Sequence, residues 1–267
     1  TRAPGHAAEL ARAAREDGGF ASVFAVGGDG ILREAASGLL GGELPLAPLP
    51  AGTANVLARV LGIPRDPLLA AELLAARPPA MRRLDVGMVE SSAPEGGAGS
   101  LPPTPFLMMT SRGLDARALE RLPPSWKRRF GRGGVVLSGL RELLRKPDPS
   151  FGVRIDHGAE RRASYLAVCN IPLYGGGFVL APGASPFDRA LEVVALAAPG
   201  RRALLAFAGR VVSRRAPAAA RATREVSLPG SGPVWLQVDG DALAVELPAR
   251  IRLAEATLPV LAPFGAT

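Results

Sequence analysis

Gly27-Gly28-Asp29-Gly30 lies between an apolar run of strand length, Phe20 to Val26, and a helical pattern, Ile31 to Leu40. Glycines let a backbone approach a phosphate closely, and a helix that follows offers unpaired amides and its positive dipole end. An aspartate in such a turn can orient a magnesium ion or its waters. The same residues also suit an ordinary strand-to-helix turn. No Lys-Ser or Lys-Thr follows the glycines, so this is not a Walker loop, and the three-glycine dinucleotide spacing is missing, which disfavours hydride transfer.

Three further segments carry usable chemistry. Pro50-Ala51-Gly52-Thr53-Ala54-Asn55 repeats the strand, glycine turn, helix pattern; Thr53 suits an N-cap, or a hydroxyl beside the same phosphates. Val238-Asp239-Gly240-Asp241 is a hairpin signal whose carboxylate is also able to take a proton from an alcohol. Leu180 to Asp188 reads as a proline-rich turn ending in Asp188, either an Asx cap or a magnesium ligand.

The elements that must position these residues alternate at first. Helices are expected over His6 to Glu16, with Leu10 inward, over Ile31 to Leu40, Thr53 to Leu61 and Pro67 to Ala76. Strands are expected over Phe20 to Val26 and Leu44 to Leu49, although Pro45 and Pro48 weaken the second. This alternation implies a parallel sheet covered on both faces. Because the pattern opens on a loop and a helix, a first strand and helix are expected upstream of Thr1. From Met81 onward short strands dominate: Met81 to Glu90, Pro105 to Thr110, Phe151 to Asp156, Arg162 to Cys169, Leu191 to Ala197, Thr223 to Leu228, Val234 to Val238, Leu243 to Leu247 and Ile251 to Leu253. They suggest an antiparallel sandwich. Ser91 to Thr104 reads as a loop, and Trp126 to Lys146 as helical. The expected division is an α/β domain over 1–82 and a β-rich domain over 83–267.

Composition narrows the chemistry. The chain has 267 residues, 48% of them hydrophobic, a formal charge of +8, and Cys169 as its single cysteine. One cysteine gives no disulfide framework, and His6 and His157 alone do not make a His-rich zinc site. No apolar run is long enough to cross a bilayer. The basic excess, almost all arginine, is either a compositional habit or an attraction to phosphate-bearing partners.

Taken together and in order, these motifs resemble the bacterial diacylglycerol kinase and sphingosine-kinase-like lipid kinases. The matching pieces are Val26 to Gly30, Pro50 to Arg59, Arg112-Gly113-Leu114-Asp115-Ala116, Asn170 through Gly177, Ala181-Pro182-Gly183-Ala184 and Val238 to Asp241. The resemblance implies a Rossmann-like α/β nucleotide-binding domain of the NAD-kinase/phosphofructokinase kind, an antiparallel β-sandwich domain, and a cleft between them. It implies that Gly27, Gly28, Asp29, Gly30, Ile31, Thr53 and Asn55 bind ATP, with Thr1 before Gly5-His6-Ala7 matching a nucleotide-binding threonine. A structural Mg2+ would lie on Asp188 with the carbonyls of Ser185 and Ala190. Asp29 would help to hold a catalytic Mg2+, and Asp241 would be the acid/base. This sequence departs from the family pattern at Ile31 (often Thr), Val56 (often Asp), Arg189 (usually Gly) and Asp241 (usually Glu).

The expected activity is transfer of the γ-phosphate of ATP to the hydroxyl of diacylglycerol or a related lipid. The alternatives are a member that binds nucleotide or lipid without turnover, an NAD kinase, or a sugar-phosphate kinase. The expected setting is the cytoplasm, on the inner face of the membrane, with Trp126, Lys127, Arg128, Arg129, Phe130 and Arg132 as a membrane-facing segment or a solvated helix face. The expected partners are a lipid substrate, ATP and a second copy of the chain in a homodimer; no nucleic-acid module is recognised.

Overall fold

A computed structural model describes residues 1–76, 80–91, 102–122, 138–139, 141–142, 145, 149–175, 177–197, 200–213, 215 and 220–263. The chain forms two compact units, one of residues 1–86, 186–188 and 254–267, the other of residues 87–185 and 189–253. The sequence reading leaves the C-terminus with the second domain. In the structure the last strand, Leu258–Ala262, pairs inside the first unit, which sequence adjacency does not reveal.

The first unit has a four-stranded sheet in which Val23–Gly27 pairs in parallel with Leu46–Pro50. Leu258–Ala262 continues the parallel set beside Leu46–Pro50, and Ala80–Leu84 closes the far edge antiparallel. Pro48 and Pro50 have no N–H to give a ladder. The Leu46–Pro50 strand accordingly meets Leu258–Ala262 at one register pair, Leu46 with Val260. Helices His6–Asp17 and Asp29–Leu39 pack on each other. Gly38 makes their close crossing: a Cβ there would lie 2.3 Å from the Ala8 carbonyl oxygen and 2.9 Å from the Ala11 Cβ. Leu10, expected inward, is exposed; Ala7 and Ala11 make the buried face instead, because so tight a crossing admits only small side chains.

The excursion through 186–188 is anchored to this unit. The Asp85 amide donates to the Pro186 carbonyl at 2.8 Å, and the Arg82 guanidinium lies 3.5 Å over the Phe187 ring. The strand expected over Met81 to Glu90 is therefore two, Ala80–Leu84 and Gly87–Ser91, interrupted at Asp85-Val86.

The second unit is antiparallel and β-rich. Its axis is one long hairpin, Glu225–Val238 with Asp241–Leu253, irregular between Leu228 and Gly232 where sequence suggested a break between two strands. Gly87–Ser91 and Thr104–Phe106 extend the sheet on one side; Met109–Arg112, Tyr165–Cys169, Leu191–Leu196 and Ala220–Thr223 extend it on the other. Phe151–Ile155 and Arg161–Ala163 branch from it. Its main apolar core includes Phe106, Leu166, Leu191, Val226, Leu236 and Ile251. A second core gathers Tyr165, Cys169, Leu180, Leu204 and Val211 beneath a helix, Arg201–Val212, that the sequence reading does not contain. The 126–132 segment lies outside the described residues, as does most of the helix expected over Trp126 to Lys146.

Candidate functional site

The two glycine turns are one object. Each follows a parallel strand of the first unit, and the strands are neighbours, so the turns emerge side by side. The Ala51 amide donates to the Gly27 carbonyl at 3.0 Å. Gly28 and Gly52 meet backbone to backbone: a Cβ on Gly52 would lie 2.4 Å from the Gly28 Cα, a distance that no side chain survives.

Asp29 ties the turns together. Its carboxylate oxygens accept the amides of Val56 at 3.1 Å and Leu57 at 3.2 Å. These are the first amides of helix Val56–Val60, which have no partner within their helix. The helix expected to start at Thr53 thus begins three residues later, and its cap is supplied from another turn. Thr53, expected as that cap, is exposed instead. Asn55 takes the left-handed conformation, φ 46, and is buried; its amide group closes the turn by accepting the Gly52 N–H at 3.0 Å and donating to the Gly52 carbonyl at 2.7 Å. Val56 is buried at the cap that Asp29 provides.

Gly27, Gly28 and Gly30 are glycines for different reasons. Ile31 packs over Gly27, its side-chain carbons 3.0 Å from where a Cβ would stand. Gly28 faces Gly52. Gly30, in the first turn of helix Asp29–Leu39, has nothing within 4 Å of a Cβ position. Open space beside first-turn amides suits an anionic ligand. Thr1 is exposed in the coil that precedes helix His6–Asp17.

Among the described residues no group of three or more His, Cys, Asp or Glu side chains could cage a metal. Magnesium carried on nucleotide phosphates needs only one or two carboxylates from the protein, and Asp29 meets that requirement, although each of its oxygens already accepts one amide. Of the other candidate ligands, Asp188 belongs to the first unit and Ser185 and Ala190 to the second. Arg189 adopts φ 58, the left-handed region that glycine occupies without strain.

In the second unit the hairpin signal is literal: Val238 pairs with Asp241, leaving Asp239 (φ 48) and Gly240 (φ 90) as a two-residue turn. Asp241 opens the returning strand, half-buried. Asp239, which the sequence marks only as a hairpin residue, is buried and takes three amides: Leu107 at 2.7 Å, Met108 at 2.9 Å and Met109 at 3.0 Å. Asn170 holds the same peptide, donating from its side chain to the Leu107 carbonyl at 2.8 Å. Two segments of the family pattern therefore converge on the break between Thr104–Phe106 and Met109–Arg112. No short-range signal marks this, because Asp239 lies more than a hundred residues from its partners.

Downstream of that break, Asp115 is buried in the first turn of helix Leu114–Glu120. It accepts the Ser111 hydroxyl at 2.7 Å, the Tyr165 hydroxyl at 3.1 Å and the Ala116 amide at 2.9 Å. Burial pushes its carboxyl above the ordinary range, against those hydrogen bonds. Burial likewise pushes the Tyr165 and Tyr174 hydroxyls well up, and the neighbouring Asp115 charge adds to it.

Comparison with known proteins agrees with the ordered motifs. Residues 1–89 match the diacylglycerol kinase catalytic domain, and residues 108–262 match the YegS C-terminal NAD kinase beta sandwich-like domain. The chain is 35% identical over 187 residues to a Pseudomonas aeruginosa (strain UCBPP-PA14) protein named "Probable lipid kinase YegS-like", covering 68% of this chain and 56% of that one. It is 30% identical over 256 residues to a diacylglycerol kinase of Mycobacterium tuberculosis (strain ATCC 25618 / H37Rv), covering 92% of this chain and 78% of that one. The chain thus spans little more than half the length of the Pseudomonas relatives. In fold it is similar to a diacylglycerol kinase from Bacillus anthracis str. Sterne, with a TM-score of 0.75 at 20% identity, covering 100% of this chain and 85% of that one.

Proposed function

The chain belongs to the diacylglycerol kinase family of lipid kinases, and on that premise we propose that it transfers the γ-phosphate of ATP to the hydroxyl of diacylglycerol or a close relative. The observation that carries the reading is the joining of the two glycine turns through Gly28, Gly52 and Asp29, next to the open space at Gly30. Phosphoryl transfer asks a protein mainly for positioning and charge neutralisation. First-turn amides at Asp29 and Gly30 would receive phosphate oxygens, and Thr53 would add a hydroxyl. Asn55 would hold the second turn in shape, Ile31 would line the seat, and Thr1 would contact the nucleotide.

Magnesium, when bound, would offset the charge on the transferring group. Asp29 would orient it or its waters while capping helix Val56–Val60, and Asp188 would take the structural ion. Asp241 would accept the proton of the lipid hydroxyl. The reaction is set at the cytoplasmic face of a membrane. No described helix is long and apolar enough to cross one.

The test is transfer of label from γ-labelled ATP to a panel of lipids in mixed micelles, comparing the chain with Asp241→Asn. Phosphatidate formed by the wild type and reduced at least 100-fold in the variant supports the reading. Label transferred to NAD rather than to any lipid overturns it, as does an Asp241→Asn variant of undiminished turnover.

A further inference from the structure

Helix Arg201–Val212 shows two unlike faces. Leu204, Phe207 and Val211 point into the second core of its unit, with the Phe207 ring 5.0 Å from that of Tyr165. On the opposite side Leu205 is 49% and Val212 64% exposed, among the exposed Arg201, Arg202 and Arg210. The helix has no acidic residue, and the sequence around it is as one-sided. From Val193 to Arg224 there are seven arginines, no lysine and no Asp or Glu, so this stretch alone contributes +7 to the formal +8. The acids that bound it are Glu192, whose carboxylate accepts the Gly183 amide, and Glu225.

We propose that the outer face of helix Arg201–Val212 docks the protein on an anionic membrane surface. A helix lying in the interface buries its apolar side chains at the headgroup boundary while arginines reach lipid phosphates. Leu205 and Val212 supply the first group; Arg201, Arg202 and Arg210 supply the second. Charge complementarity favours this occupant over a second copy of the chain, since a two-fold contact would set arginine against arginine. Exposed leucine and valine also gain little from nucleic-acid phosphates, whereas a bilayer takes both groups. The inference rests on the lipid-kinase reading for placing a bilayer near the protein, but its test does not require turnover.

The test is flotation of the 267-residue chain with vesicles of phosphatidylcholine alone or with added phosphatidylglycerol. Binding should require the anionic lipid and fall with salt. Each arginine near such a surface is worth about fivefold in affinity, so Arg201→Ala/Arg202→Ala/Arg210→Ala should bind on the order of 100-fold more weakly. Leu205→Asp/Val212→Asp should also weaken binding. Leu68→Asp, on the exposed apolar helix Pro67–Ala76, which carries Glu72 and no arginine, should leave it unchanged. All three variants change exposed side chains, so unaltered melting curves show that the fold is intact. A triple-arginine variant that floats like wild type overturns the proposal. So does binding indifferent to phosphatidylglycerol, or duplex DNA bound more tightly than vesicles at equal salt. If the transfer assay fails while flotation behaves as described, the catalytic reading falls and the docking surface stands.

Discussion

Substitutions at Gly30 and Gly52 would separate a glycine needed by a proposed ligand from one needed by the fold. Gly30→Ala places a methyl in space that no atom beyond its chain neighbours and its own helical backbone reaches within 4 Å, in the first turn of an eleven-residue helix. Alanine in a helix is favoured over glycine by about 0.5–1 kcal/mol, so the variant should melt at the wild-type temperature or a few degrees above it. In the proposed site that methyl would stand where a phosphate oxygen would approach the amides. Loss of one charge-assisted hydrogen bond, about 1.5–3 kcal/mol, corresponds to roughly 10- to 100-fold in ATP affinity. Gly52→Ala meets the Gly28 Cα at 2.4 Å. Overpacking of this kind costs about 1–3 kcal/mol, and disturbing the Asp29 cap adds about 1 kcal/mol. The assays are calorimetric titration with ATP and thermal unfolding of both variants. Gly30→Ala should be stable and weak-binding, and Gly52→Ala unstable. A Gly30→Ala protein that binds ATP like wild type would refute the assignment of that open space to phosphate.

Other outcomes follow from the same structure. Asp239→Ala strips the acceptor from three buried amides and should cost about 3–5 kcal/mol in urea unfolding; a loss below about 1 kcal/mol would show that the 107–109 peptide is held some other way. Asp115 has a folded pKa above its unfolded one, so its contribution to stability is present below the unfolded carboxyl range and is lost as pH rises through the folded value. Asp115→Asn cannot ionise and should gain relative to wild type as pH rises above the unfolded carboxyl range; a pH-independent difference contradicts this. Arg189→Gly relieves a left-handed arginine and should stabilise by up to about 1 kcal/mol, with a lower melting temperature as the contrary result. Cys169 is buried and its thiol is pushed up by that burial, so a thiol reagent should label it only after unfolding.

The first unit was largely legible because its signals are local. Strand, glycine turn and helix follow one another around Gly27 to Gly30, and periodicity places helices close to His6–Asp17, Asp29–Leu39 and Pro67–Ala76. What sequence could not supply is the contact between turns. Thr53 has the right side chain to cap a helix, but a carboxylate 27 residues upstream of Val56 does so, and no spacing rule connects them. Pro229-Gly230-Ser231-Gly232 reads as a turn yet is an irregularity inside one long strand, because pairing with Asp241–Leu253 continues on both sides of it. Helix Arg201–Val212 did leave a trace, with Leu204, Phe207 and Val211 at helical spacing. Its apolar outer face blurs the contrast that periodicity depends on. Strand Leu258–Ala262 contains a proline and pairs with partners far away in sequence, so its membership of the first sheet belongs to tertiary structure alone.

We propose the joined glycine turns as the seat of the nucleotide phosphates. An amide-resolved titration of the 267-residue chain with ATP and magnesium tests it most directly. The largest shifts should fall on Gly28 to Ile31 and on Gly52 to Asn55, and they should shrink in Gly30→Ala. Saturable binding that leaves those amides unmoved would contradict it.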